Sequence, residues 1–153
     1  MSASKTILLV EDNPDDVFLL QRAFRKHGLS CPMQVVEHGA KAVRYLSGEG
    51  EYSNRDKYPL PRLIVLDLNL PVMNGIEFLK WRHADAQAQK LRTVVLTGSR
   101  SAEDARAAFD SGCDAFFTKS ADTDRLREIV QDIGSGLRCE PDSPLRVKSA
   151  NLE

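Results

Sequence analysis

The chain has 153 residues, which suits one domain with a single core. Hydrophobic residues make up 42%, and 21 basic against 22 acidic residues leave a net charge of −1, so nothing favours nucleic acid or an anionic membrane surface as partner. No apolar run approaches a bilayer's span, the opening MSASKTILLVED is too short in apolar residues for a signal peptide, and the three cysteines (Cys31, Cys113, Cys139) lack CxxC spacing, so the expectation is a soluble cytoplasmic protein without disulfide framework or zinc site.

TILLV (6–10) is a short apolar run that meets the turn EDNP and reads as a buried strand. Asn13 is placed to cap a first helix with Pro14 in its first turn, and Asp15 and Asp16 suit the positive end of that helix. Val17, Leu20 and Phe24 recur at helical spacing, and Gly28 is placed to end the helix. MQVVE (33–37) is a second strand, and Ala42, Tyr45 and Leu46 mark a second helix. Residues 48–61 are polar, with Gly at the start and Pro at the end, and read as a long surface loop.

LIVLDLN (63–69) is a third strand, almost wholly apolar until Asp67. LPVMNG is a turn, IEFLKW a third helix and LRTVVLT a fourth strand. Ser101 and Asp104 have capping-box spacing before an Ala-rich fourth helix. CDAFFTK is a fifth strand, and Leu126, Ile129, Val130 and Ile133 give a last helix that Gly134 closes. From Leu137 periodicity is lost. The expected division is a domain over 1–137 and a polar tail over 138–153, with no output domain. His27, His38 and His83 fall at polar positions and read as solvated surface residues.

Strands alternating with helices imply βαβ units, and right-handed crossovers give an α/β, doubly wound parallel sheet. In such sheets chemistry gathers at the carboxyl ends of the strands. Those ends carry Glu11, Asp12, Asp67, Thr97 and Lys119. Three carboxylates at one edge repel each other unless a hard cation or a lysine compensates them. A carboxylate can also attack phosphorus, and the transferring group then needs positioning and charge neutralisation. Each residue has a duller explanation, as helix-terminal acid, strand-ending threonine or solvated lysine. Asp67 is the hardest to explain that way, since it ends the most apolar strand.

These segments resemble the receiver domain of two-component response regulators over residues 6–134. LLVEDNP is similar to the family's acidic-pair segment, LIVLDLNLPVMNG to its phosphoacceptor signature, VVLTGS to its hydroxyl segment and FFTK to its lysine segment. The resemblance implies a flavodoxin-like (βα)5 sheet of order 2-1-3-4-5, with Asp67 as phosphoacceptor assisted by Thr97 and Lys119. It implies Mg²⁺ held by Asp12, Asp67 and the backbone carbonyl of Asn69, with Glu11 acting through a water. Phe116 falls at the switching aromatic position: Thr97 would move towards the phosphoryl group and Phe116 would turn inward, repacking the face of the fourth helix, fifth strand and fifth helix. Phe117 alternates to the other side and reads as plain core. Asn69 and Gly98 would tune the lifetime of the phosphoryl group.

The implied partner is a sensor histidine kinase, and the implied catalysis is of the protein's own phosphorylation and dephosphorylation only. EDNPDDVFLLQRAF, the long loop and the tail look like the single-domain regulators paired with bacterial phytochromes, and a homodimer through the repacked face fits the same picture. One departure is Ser120, where the family follows its lysine with proline through a cis bond; a cis bond to serine would cost roughly 3 kcal/mol. The competing readings are a receiver-like interaction module without phosphorylation and, more remotely, an aspartate-nucleophile phosphatase, for which the D-x-N after the third strand is a poor match. A dinucleotide-binding protein fits worse, because no G-x-G-x-x-G follows the first strand.

Overall fold

The computed structural model describes residues 5–27, 31–119 and 123–138. Five strands, β1 (Ile7–Val10), β2 (Met33–Val36), β3 (Leu63–Leu66), β4 (Arg92–Thr97) and β5 (Ala115–Thr118), form one parallel sheet of order β2-β1-β3-β4-β5. Five α-helices follow them, α1 (Pro14–Lys26), α2 (Gly39–Ser47), α3 (Gly75–Ala84), α4 (Ala102–Asp110) and α5 (Thr123–Arg138). This is the expected flavodoxin-like, doubly wound fold. The register runs in step, with Val10 beside both Val36 and Leu66, so the strand ends that precede the polar loops lie level with one another.

The strand runs are apolar on consecutive positions because both faces are covered. Leu8, Val10, Ile64, Leu66, Val95 and Phe116 point to the side packed by α2, α3 and α4. Ile7, Leu9, Leu63, Val65, Val94 and Phe117 point to the side packed by α1 and α5. Phe116 and Phe117 thus take opposite faces, as the strand period requires. Among the described residues no helix is long and apolar enough to cross a membrane.

The helix starts follow their capping residues. Asn13 Oδ1 accepts from the N–H groups of Asp15 and Asp16 at 2.9 and 3.3 Å, as expected. Ser101 Oγ accepts from Asp104 N–H at 3.3 Å, but the Asp104 carboxylate takes the Ser99 hydroxyl at 2.6 Å instead of completing a box. The reciprocal box forms at α3, between Asn74 and Glu77. His38 is not a plain surface histidine: its Nδ1 accepts from Lys41 N–H at 3.1 Å and caps α2.

Two further expectations need correction. Gly134 does not close the last helix, which continues through Arg138 and so takes in the start of the expected tail. Residues 48–61 do run over the surface as expected, but not without order. They hold a 3-10 turn, Gly50–Ser53, and bury Tyr52 in a cluster with Tyr45 and Tyr58, its ring centroid 5.0 Å from each. Arg55 donates to the carbonyls of Tyr45, Leu46 and Tyr58, tying the segment to the end of α2. Gly28, Ser120, Cys139 and the rest of the expected tail lie outside the described residues. Among those described there is no cis peptide bond.

Candidate functional site

Glu11 and Asp12 follow β1, Asp67 follows β3, Thr97 ends β4 and Lys119 follows β5. The sheet registers bring them to one edge. Asp67 N–H donates to Val10 O at 3.1 Å and Glu11 N–H to Val36 O at 3.0 Å, so both carboxylates continue the strand ladder before the chain turns away. Lys119 N–H donates to Thr97 O at 2.7 Å, which fixes the fifth strand's end against the fourth.

Glu11, Asp12 and Asp67 each offer a carboxylate oxygen within 4.8 Å of the others. Glu11 and Asp67 are buried, while Asp12 is exposed at the mouth. Three hard oxygen donors at this spacing, one of them open to solvent, fit a divalent cation of the Mg²⁺ or Mn²⁺ kind and would repel one another without it.

The Lys119 ammonium supplies a fixed counter-charge. It donates to Glu11 Oε1 at 2.7 Å, to Asp16 Oδ2 at 2.7 Å and to Asp67 Oδ2 at 3.0 Å. The second Glu11 oxygen accepts from Asn13 N–H at 3.2 Å, and the second Asp67 oxygen from Asn69 N–H at 3.2 Å. Burial pushes the Glu11 carboxyl up to about 7, with the Lys119 bond pulling the other way. For Lys119 burial works against the charge, yet its bonds to Asp16 and Glu11 and the charge of Asp67 outweigh it and hold the ammonium above the usual lysine range.

Asp16 is the residue that sequence reasoning missed. It was fully accounted for as an acid in the first helical turn, and only the folded contact with Lys119 distinguishes it from Asp15. Thr97 is completely buried, and its hydroxyl accepts from Ser99 N–H at 3.4 Å. A Cβ built on Gly98 would meet nothing within 4 Å, so the space beside Thr97 is open. Phe116 is on β5, three residues before Lys119. Its ring is 1% exposed, with its centroid 6.3 Å from that of Phe109. The expected inward turn needs an outward ring at the start, and here the ring is already inside.

A buried carboxylate carries an ammonium on one oxygen and a backbone N–H on the other, beside an acidic cluster suited to a hard cation. That arrangement can hold a transferring phosphoryl group. The comparisons with known proteins agree with this geometry. Residues 7–131 match the family model described as response regulator receiver domain. Response regulator Rcp1 of Synechocystis is 34% identical over 131 residues, which cover 86% of this chain and 87% of that one. The structure of its Mn²⁺-bound form superposes with a TM-score of 0.75 over 86% of this chain and 92% of that one. The phosphorylated cyanobacterial phytochrome response regulator RcpA is 36% identical with a TM-score of 0.78, covering 88% of this chain and 94% of that one. The bacteriophytochrome response regulator RtBRR is 32% identical with a TM-score of 0.74, covering 92% and 84%. With sheet order, acidic edge and matched sequence all in accord, the chain belongs to the response regulator receiver-domain family.

Proposed function

We propose that this chain is a phosphorylation switch that accepts a phosphoryl group on Asp67 from the phosphohistidine of a sensor kinase. The observation that carries the reading is the Lys119 ammonium 3.0 Å from Asp67 Oδ2, at an edge where Glu11 and Asp12 complete an oxygen donor set. In the transfer one Asp67 carboxylate oxygen forms a bond to phosphorus as the P–N bond of the donor breaks, and the imidazole nitrogen keeps the electron pair and takes up a proton. Loss of the phosphoryl group is attack by water on phosphorus with release of the Asp67 carboxylate.

The chain's own groups orient this chemistry. Lys119 faces the equatorial oxygens of the incoming group and neutralises their charge. Thr97 is the hydroxyl that closes on them from the next strand. A bound Mg²⁺ would neutralise the transferring oxygens, held by Asp12, Asp67 and the backbone carbonyl of Asn69 with Glu11 behind a water. Gly98 leaves room for donor or water, and Asn69 lies beside the acceptor, so both are assigned to the lifetime of the phosphoryl group. Output is assigned to the α4-β5-α5 face and to movement of Thr97 beside a Phe116 ring that is already inward, with a homodimer as one use of it.

A bacterial phytochrome is the kinase we assign. Its support is that RcpA and RtBRR, both named as phytochrome response regulators, match across most of their length. The test is transfer from an autophosphorylated bacterial phytochrome kinase to the wild-type chain and to Asp67→Asn. Transfer to wild type alone is expected. Equal labelling of both would remove Asp67 as acceptor. No transfer from the phytochrome kinase, beside transfer from another histidine kinase, would overturn the partner assignment alone.

A further inference from the structure

Lys119 is shared among three carboxylates, and the three are not equivalent. Glu11 is 2% exposed and its other oxygen accepts from Asn13 N–H, so both of its oxygens are held from within the fold. Asp67 is the acceptor itself. Asp16 comes from a different element, the first turn of α1, and its side chain is 33% exposed. Yet its contact with the ammonium, at 2.7 Å, equals that of Glu11 and is shorter than the 3.0 Å to Asp67. An ammonium has three donors, and here all three are spent on carboxylates. A phosphoryl oxygen arriving at Asp67 must therefore draw Lys119 away from a partner it already has.

We propose that Asp16 is a positioning residue that divides Lys119 between helix α1 and the acceptor, strengthening cation binding in the resting site and slowing phosphoryl entry. This inference rests on the phosphoacceptor reading of Asp67. Its physical basis is the sign of the charges. A lysine drawn fully inward repels a dication at Glu11, Asp12 and Asp67; Asp16 offsets that repulsion from the outer side. The same lysine is what the developing negative charge on the phosphoryl oxygens needs, and Asp16 competes with them for it. Removing the Asp16 charge thus acts in opposite directions on the two events, which loss of a merely structural contact does not do.

The experiment uses the full chain as wild type, Asp16→Asn, Asp16→Glu and Asp15→Asn. Mg²⁺ affinity is measured by isothermal calorimetry, and the phosphorylation rate by intact mass with acetyl phosphate at saturating Mg²⁺. Asp16→Asn is expected to raise the Mg²⁺ Kd by about threefold or more and to raise the phosphorylation rate by about threefold or more. Asp16→Glu keeps the charge and stays near wild type in both. Asp15→Asn makes the same change in net charge at an exposed neighbour and alters neither. Equal behaviour of Asp16→Asn and Asp15→Asn overturns the inference, as does a parallel fall in affinity and rate. A wild-type chain that takes no phosphoryl group overturns the phosphoacceptor reading, and the inference with it. A wild type that does take one, beside an unchanged Asp16→Asn, overturns the inference alone.

Discussion

Glu11 and Lys119 are 108 residues apart in sequence and 2.7 Å apart in space, although β1 and β5 are not neighbours in the sheet. The lysine reaches across the carboxyl ends of β3 and β4 and ties the two halves of the fold at the acidic edge. Without it, Glu11 and Asp67 are buried carboxylates facing one another. Lys119→Met is expected to destabilise the protein by about 3 kcal/mol in metal-free buffer, the lower end of the scale for breaking a buried ion pair by removing one partner. Saturating Mg²⁺ should return part of the loss. Urea unfolding with and without Mg²⁺ measures both, and an equal loss in the two buffers would argue against a shared electrostatic edge.

Glu11 also gives the pH dependence a sign. Its folded value is raised from 4.5 to about 7, chiefly by burial. The folded state therefore binds the proton more tightly than the unfolded chain does. The stability this contributes is complete below pH 4.5 and is lost as pH rises through about 7. In metal-free buffer the urea midpoint of wild type should fall between these values relative to Glu11→Gln, which has no proton to lose. Parallel pH profiles for the two proteins would contradict the assignment. The raised Lys119 titrates far above this window and does not alter the sign.

Gly75 and Gly98 separate close packing from open space at the same edge. A Cβ on Gly75 would stand 2.5 Å from Asp67 O and 2.7 Å from Leu68 Cα, both backbone atoms that cannot turn aside. Gly75→Ala should cost about 2 kcal/mol or more and displace the loop that follows β3. Gly98→Ala meets nothing and should change stability by less than about 0.5 kcal/mol. It should still lengthen the phosphoryl lifetime by narrowing the entrance beside Thr97. Unfolding curves and phosphoryl decay, read together on both variants, check the pair.

The edge itself was legible in the sequence because each of its groups ends a β-branched or apolar run, and parallel strands in register bring such ends together. Asp16 was not legible, because its helix-terminal position already explained an acid there. Nor was the order in residues 48–61, whose polar composition concealed the packing of Tyr52 on Tyr45 and Tyr58. The inward placement of Phe116 depends on which cavity the packed helices leave, and strand alternation specifies only the face. The half-formed box at Ser101 has a local cause: Ser99 offers Asp104 a hydroxyl at 2.6 Å before the backbone can.

Arg82 is a second residue whose role appears only in the fold. It is 4% exposed on α3, donating to Leu91 O at 2.6 and 3.1 Å and to Gly112 O at 2.9 Å, with Asp114 Oδ2 at 3.3 Å. It braces the segments that enter β4 and β5, at the end of the sheet opposite the acidic edge. Arg82→Ala should cost about 3 kcal/mol by leaving those acceptors unsatisfied. Arg82→Lys should recover little, since an ammonium cannot reproduce the planar fork. Thermal and urea unfolding of the two variants decide this.

The most direct test of the central claim is the mass of the protein after incubation with acetyl phosphate and Mg²⁺, followed by borohydride reduction and peptide mapping. A gain of one phosphoryl group is expected that requires Mg²⁺, is absent in Asp67→Asn, and maps to Asp67. A gain that persists in Asp67→Asn would contradict this by removing Asp67 as the acceptor, and no gain from any small phosphodonor or histidine kinase would contradict it by leaving the chain a receiver-like interaction module.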